Sequence, residues 1–344
     1  MTRFTVSREA RELHEKAIVA DMHVDTLLIH YLFGYDMTRR HANPLPGSPF
    51  IYQADLPRMR EGGVDVVGFG LVLNPLTGSA ERRMAKVKSQ IDYFKEVAAA
   101  RPDELYLAAT PADIEARHGK GVGGVLGIEG AHVLAGRIDR VQAYYDLGVR
   151  YLTLAHFSSN EACNPAQGWG SGRVSGLTGF GRDVVRECNR IGMTLDLAHI
   201  NKAGFLEAAR LSTAPFIVSH TGLKGVVRSA RNIDDEQVRM VAEKNGVLGV
   251  IWAPYWTGKN SGADAEAVVD SMVYVMDRFG ADQVGIGSDI DGFLTRLNAG
   301  LDDISSMPVL TELLLRRRRS PEDIVKVLGG NFLRVYRDVY AAKG

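Results

Sequence analysis

The sequence predicts a (β/α)8 barrel, the TIM fold, elaborated with extra helices. Eight apolar, strand-like runs are spread along the chain, helix-like segments lie between them, and the strongest polar candidates fall at the ends of the runs. Those candidates are His23 and Asp25, Glu129, His156, His199, His220 and Asp289.

In order, the runs are residues 18–26 (IVADMHVDT), 64–73 (VDVVGFGLVL), 121–130 (GVGGVLGIEG) and 149–157 (VRYLTLAHF), then 192–199 (GMTLDLAH), 214–221 (APFIVSHT), 246–254 (GVLGVIWAP) and 283–292 (QVGIGSDIDG). Near-continuous apolar stretches bounded by glycine and turn residues suit strands buried on both faces, as in a parallel sheet covered by helices. Between them, residues 81–100 and 263–279 carry apolar side chains at helical spacing, and residues 177–190 do so less strictly. Ser320, Pro321, Glu322 and Asp323 place a capping hydroxyl, a first-turn proline and two carboxylates before residues 324–328, the pattern of a helix start. Residues 331–342 read as a last helix packed on the outside. A doubly wound open sheet shares this local pattern. The count of eight and the spread of polar residues over many strand ends favour closure.

At 344 residues the chain exceeds a typical barrel of ~250 by an amount that loops and extra helices absorb, so residues 1–344 are expected to form one domain. No serine- or proline-rich linker, composition shift or internal repeat divides them. Residues 31–52, with prolines at 44, 46 and 49, read as a long loop on the face where barrels build their sites. Basic and acidic residues balance at 41 each, which leaves no electrostatic footprint for nucleic acid or an anionic membrane. The run Arg316 to Arg319 reads as a solvated helix end. The first residues lack an apolar signal core and the last ones a hydrophobic anchor, so a cytoplasmic location is expected. Cys163 and Cys188 have neither a disulfide framework nor thiolate-site spacing and are expected to be free thiols. A monomer and a homodimer both remain open.

His23 and Asp25 lie two residues apart, on one face of a strand, where an imidazole and a carboxylate can grip one cation. His-x-Asp is common by chance, but Glu129, His199 and His220 close other runs. Together they bring three imidazoles and two carboxylates to one rim, where burial without a cation would be costly. That donor set suits zinc better than magnesium or calcium, and five ligands fit two ions sharing a carboxylate better than one tetrahedral ion. Such a pair polarises a carbonyl and activates water near neutral pH.

With these blocks in hand the chain resembles the membrane dipeptidase (renal dipeptidase) family, peptidase family M19, among the amidohydrolase-like barrels. The resemblance runs from about residue 17 to 340 and is carried by DMHVDT at 21–26, GIEGAH at 127–132, RYLTLAH at 150–156 and GLTGFGRDVVRECNRIGMTLDLAH at 176–199. VSHTG at 218–222, RSARNIDD at 228–235, GIGSDIDG at 285–292 and GGNFLRVY at 329–336 complete it. The resemblance implies two zinc ions bridged by Glu129, with His23 and Asp25 on one and His199 and His220 on the other. It implies hydrolysis of the peptide bond of dipeptides, with tolerance for a D- or dehydro-residue at the C-terminal position.

By the same resemblance, His156 contacts substrate and suits donation to the developing oxyanion, and Asp289 carries the proton from the attacking water to the leaving amine. The spacing leaves Asp291 open as the alternative. Arg231, with Arg228 as its confounder, offers a planar fork to the substrate's terminal carboxylate. His132 is expected to steady the ligands, and Tyr255 and Trp256 to wall the side-chain pocket, while His14, His30, His41 and His118 read as surface or loop residues. The lipid attachment of mammalian members, with its extra cysteines and tail, is not carried over. The expected partner is a small dipeptide, without nucleic acid or membrane. A related barrel hydrolase acting on a lactam, an N-acyl amino acid or a phosphoester is the competing enzyme reading; a metal-binding scaffold is the non-enzyme reading. A carboxylate clamp at Arg231 favours the first, and the presence of Asp289 and His156 disfavours the last.

Overall fold

The protein is described by a computed structural model over residues 4–42, 51–73, 78–173, 175–258 and 263–344. Its strands are β1 (Ala20–Val24), β2 (Val66–Val72), β3 (Leu105–Leu107), β4 (Val122–Glu129), β5 (Val149–Thr153), β6 (Thr194–Asp196), β7 (Ile217–Thr221), β8 (Val247–Val250) and β9 (Val284–Ile286). All pair in parallel, in the order β2-β1-β9-β8-β7-β6-β5-β4-β3, and a further β2–β4 pairing closes the ring. Eight strands therefore make the barrel, one in each of the eight apolar runs.

The ninth, β3, was not anticipated. It holds the β5-facing edge of β4 through Leu105↔Val122 to Leu107↔Gly124, and β5 takes over that edge from Leu126 onward. Three residues are too few for a period to show. The helix Arg8–Lys16 was also unanticipated; Ser7 caps it by accepting from the Ala10 amide.

Helices begin where short polar side chains satisfy the free amides of the first turn. Ser79 accepts from Arg82 at the head of Ala80–Ala100, Thr178 from Gly181 before Gly179–Ile191, and Ser320 from Asp323 before Pro321–Val325. Asp234 and Gln237 form a reciprocal capping box ahead of Asp235–Glu243. The proposed loop 31–52 needs correcting at its start, because its first three residues complete the helix Thr26–Phe33, which ends on Gly34 at φ 66°. Its three prolines lie outside the described residues. Among the described residues no helix is long and apolar enough to cross a membrane.

The last helix, Asn331–Ala341, does not lie on the flank. Phe332, Leu333, Val335, Tyr336 and Val339 share one buried cluster with Ala20, Val66, Ile217 and Val247, each the first residue of its strand. Tyr336 donates to Ala108 O at 2.9 Å and Asn331 to Val284 O at 2.9 Å. This helix closes the barrel at the N-terminal ends of the strands and leaves the C-terminal ends open for the site.

Candidate metal centre

The C-terminal ends of six strands deliver the polar residues to one point. His23 sits in β1 and Asp25 directly after it, Glu129 ends β4, and His220 lies within β7. His156, His199 and Asp289 come from three residues beyond β5, β6 and β9, so these runs extend past the hydrogen-bonded ladder. His199 and Asp289 hold φ of 63° and 61°, in the left-handed region that non-glycine residues seldom occupy. Two such residues at one site indicate that the surroundings impose their side-chain direction.

Glu129 is the centre of the cluster. Its Oε1 lies 3.0 Å from His199 Nε2, 3.4 Å from His220 Nε2 and 3.5 Å from His23 Nε2, and its Oε2 lies 3.1 Å from His156 Nε2. His23 Nε2 is also 3.2 Å from Asp25 Oδ1. Three sets of ligand atoms fall within 4.8 Å of one another: His23, Asp25 and Glu129; Glu129, His199 and His220; and His23, His220 and Asp289. The first two share Glu129, and the third places Asp289 beside both.

Electrostatics within the cluster pull in opposite directions. Burial raises the Glu129 carboxyl well above its ordinary value, and Asp25 and Asp289 add to the shift against His23 and Arg231. Burial, then Asp25, pushes Asp289 up to about 8. Burial lowers His23, but Asp25 and Glu129 outweigh it and leave the imidazole at about 10. Burial drives His156, His199 and His220 well below the usual imidazole range. Shifts in opposed directions within one buried cluster mark a donor set suited to balance by cations.

The donor set fits such ions on local grounds as well. His23 Nε2 and Asp25 Oδ1 are buried without a hydrogen-bond partner among the described residues. His23 Nδ1 meets Tyr151 OH at 3.1 Å and His220 Nδ1 meets Ser219 Oγ at 2.9 Å, the outer contacts that orient ligating imidazoles. Two glycines make the space. A Cβ on Gly70 would lie 2.1 Å from Asp25 Oδ1, and one on Gly127 would lie 1.8 Å from the Tyr151 ring.

Arg231, 2% exposed, is held by Nη2 donating to His220 O at 2.9 Å, with its guanidinium carbon 5.6 Å from the Trp256 ring centre. Its Nε has no partner among the described residues. Arg228 is exposed instead and lines an outer cleft with Lys202, Lys224 and Tyr274. Asp291 is taken up elsewhere: Oδ2 accepts from Thr26 Oγ1 at 2.7 Å and Oδ1 from the Gln53 amide at 2.8 Å.

Other expectations need revision. His132 does not touch the ligands by hydrogen bond; both its ring nitrogens are buried and unpartnered among the described residues, and burial lowers it to about 4. His14 is not a surface residue but 3% exposed, bonded to Thr311 Oγ1 and Gly62 O at 2.8 Å each. Cys163 and Cys188 are free and buried, and burial raises both thiols above their ordinary value. Sequence reasoning passed over Tyr151, Asp196 and Ser219. Asp196 stands three residues before His199 and Ser219 directly before His220, and that adjacency was the available signal. Phe157 was passed over as well: its ring lies 4.9 Å from His156 and 4.8 Å from His199 and is exposed.

Comparison with known proteins identifies the family and the fold. Residues 7–344 match the family model of the membrane dipeptidases, peptidase family M19. The dipeptidase tcpJ of Claviceps purpurea is 34% identical over 253 residues, 73% of this chain and 59% of that protein, so the match leaves a large part of the relative uncovered. The dipeptidase aclJ of Aspergillus oryzae is 33% identical over 83% of this chain and 70% of its own length. A metallopeptidase of Rhodobacter sphaeroides, solved with a phosphinate mimic of the dipeptide L-Ala-D-Ala, superposes with a TM-score of 0.83 at 25% identity, covering 94% of this chain and 100% of its own.

Proposed function

The chain belongs to the membrane dipeptidase family, peptidase M19, and we propose that it is a binuclear zinc dipeptidase that hydrolyses free dipeptides, including those with a D-residue at the C-terminal position. The observation that carries this reading is the convergence of His23, His199 and His220 on Oε1 of Glu129, with Asp25 beside His23, so that two sets of ligand atoms share one carboxylate. In this reading His23 and Asp25 would hold one ion and His199 and His220 the other, with Glu129 shared between the two sets. When bound, the ions supply Lewis-acid polarisation of the scissile carbonyl and activate water for attack.

The chain's own residues supply the rest. Asp289 accepts a proton from the attacking water and delivers it to the leaving amine; its place beside His23 and His220 supports this over Asp291, whose two oxygens are taken up by Thr26 Oγ1 and the Gln53 amide. His156 donates to the oxygen that gains charge in the transition state. Arg231 binds the substrate's free carboxylate, an anion that would pair with a buried guanidinium having an unpartnered Nε. The aromatic rings of Tyr255 and Trp256 wall that side of the pocket. The whole of residues 1–344 acts as one catalytic unit in the cytoplasm, with neither nucleic acid nor membrane as partner. The solved relative with its L-Ala-D-Ala mimic supports the stereochemical part of the proposal.

The test combines elemental analysis with a screen of L-Xaa-L-Xaa and L-Xaa-D-Xaa dipeptides. Two zinc ions per chain and dipeptide hydrolysis are expected, with Glu129→Ala losing both ions and activity together. At most one ion per chain in metal-replete protein would sink the bridged pair. Turnover of N-acyl amino acids or lactams without any dipeptide would move the substrate assignment to the competing hydrolase.

A further inference from the structure

Asp196 ends β6 with no solvent exposure and is surrounded by donors. Its Oδ1 accepts from the amides of Ala198 at 3.0 Å and Ser219 at 2.9 Å. Its Oδ2 accepts from Thr153 Oγ1 and from Ser219 Oγ, each at 2.6 Å. Four donors suit a carboxylate, which only accepts.

A serine hydroxyl has a single proton, and the short contact to Asp196 Oδ2 takes that of Ser219. The other contact of Ser219 Oγ is His220 Nδ1 at 2.9 Å. With the hydroxyl proton committed, that second bond exists only if Nδ1 carries a hydrogen. A neutral imidazole has one N–H, so Nε2 keeps its lone pair, and Nε2 is the atom 3.4 Å from Glu129 Oε1. His199 has no equivalent device, since its Nδ1 lacks a partner among the described residues.

We propose that Asp196, acting through Ser219, locks His220 in the Nδ1–H tautomer and so holds its Nε2 ready to ligate a cation. Asp196 is thus a positioning residue. The proposal rests on the reading of His220 as a metal ligand, but the tautomer itself is a property of the metal-free chain.

Replacing one atom should reverse the relay. In Asp196→Asn the two backbone amides require the remaining oxygen at the Oδ1 place, which puts the NH2 group against Ser219 Oγ. The amide then donates to the hydroxyl, the hydroxyl proton turns to Nδ1, and the imidazole hydrogen moves to Nε2, where it opposes metal binding.

The experiment uses 15N-histidine-labelled full chain, reading the His220 tautomer from nitrogen shifts in metal-free protein and zinc affinity by competition with a chromogenic chelator. The parent is expected to show Nδ1–H and Asp196→Asn to show Nε2–H, with affinity for one of two zinc ions weaker by about 10–100-fold. Ser219→Ala, which removes the relay without touching Asp196, should also weaken that ion. Thr153→Val removes a different donor from the same carboxylate and should keep the parent's tautomer and affinity. An Nε2–H tautomer in the parent would overturn the proposal, as would an Asp196→Asn or Ser219→Ala protein that binds both ions with parental affinity, or a Thr153→Val protein that loses as much as Asp196→Asn. A parent that shows Nδ1–H but takes up no zinc would uphold the tautomer lock and overturn the metal reading instead.

Discussion

Asp289 and Asp291 differ by two positions and by everything around them. Both hold a left-handed backbone, but the first faces His23 and His220, whereas the second is bound to Thr26 Oγ1 and the Gln53 amide. If Asp289 carries the proton, Asp289→Asn should retain two metal ions and lose about 10²–10⁴ in kcat, the usual scale of a general acid or base. Asp291→Asn should show its effect in thermal stability first. Full activity in Asp289→Asn, measured on the metal-replete variant, would exchange the two roles. Arg231 makes a separate prediction. Arg231→Ala should keep its metal content, raise KM or lower kcat/KM on free dipeptides, and lose any preference for them over C-terminally amidated ones. An unchanged preference would mean that another group reads the carboxylate.

Elements position these side chains through space made by residues that have none. Gly127 of β4 admits the Tyr151 ring from β5, and Tyr151 OH meets His23 Nδ1 from β1, so three strands are set against one another at a single glycine. Gly127→Ala should destabilise the fold by about 1–3 kcal/mol, the usual scale of overpacking in a core. Denaturant titration would measure it, and zinc affinity should fall as His23 loses its outer contact. A variant with the parental midpoint would show that the ring moves aside freely. The eight runs placed the strands but overran them, because apolar patterning reports burial, whereas a strand ends where its ladder ends. His156, His199 and Asp289 lie in that difference, still buried or nearly so but freed from the ladder to turn inward. The basic run Arg316 to Arg319 is a helix end as expected, tied by ion pairs to Glu312, Asp270, Glu266 and Asp277.

At the scale of the whole molecule, the end opposite the site is closed by the last helix and stitched by His14, which joins Arg8–Lys16 to Thr311 and to Gly62 O. Burial lowers the His14 imidazole below its ordinary 6.5, against the smaller raising effect of the Gly62 carbonyl. The folded chain therefore binds this proton less readily than the unfolded one. The stabilisation is present above pH 6.5 and is lost as pH falls from there through the lower folded value. Melting temperatures taken between neutral pH and pH 5 should fall less steeply in His14→Gln than in the parent. Equal slopes would assign the acid sensitivity to other groups.

The order of eight apolar runs and the histidines and carboxylates at their ends were enough to read the barrel and its family, and to name residues that converge at one rim, because burial on both faces of a strand and ligand chemistry are written in residue type. The sequence could not tell Asp289 from Asp291, Arg231 from Arg228, or a steadying role for His132 from none. Each of those choices depends on which atoms meet across the barrel, between positions far apart in the chain. The relay from Asp196 through Ser219 to His220 is of the same kind: β6 and β7 come into register at Asp196↔Ile217, and only that pairing sets a carboxylate against a hydroxyl 23 residues away.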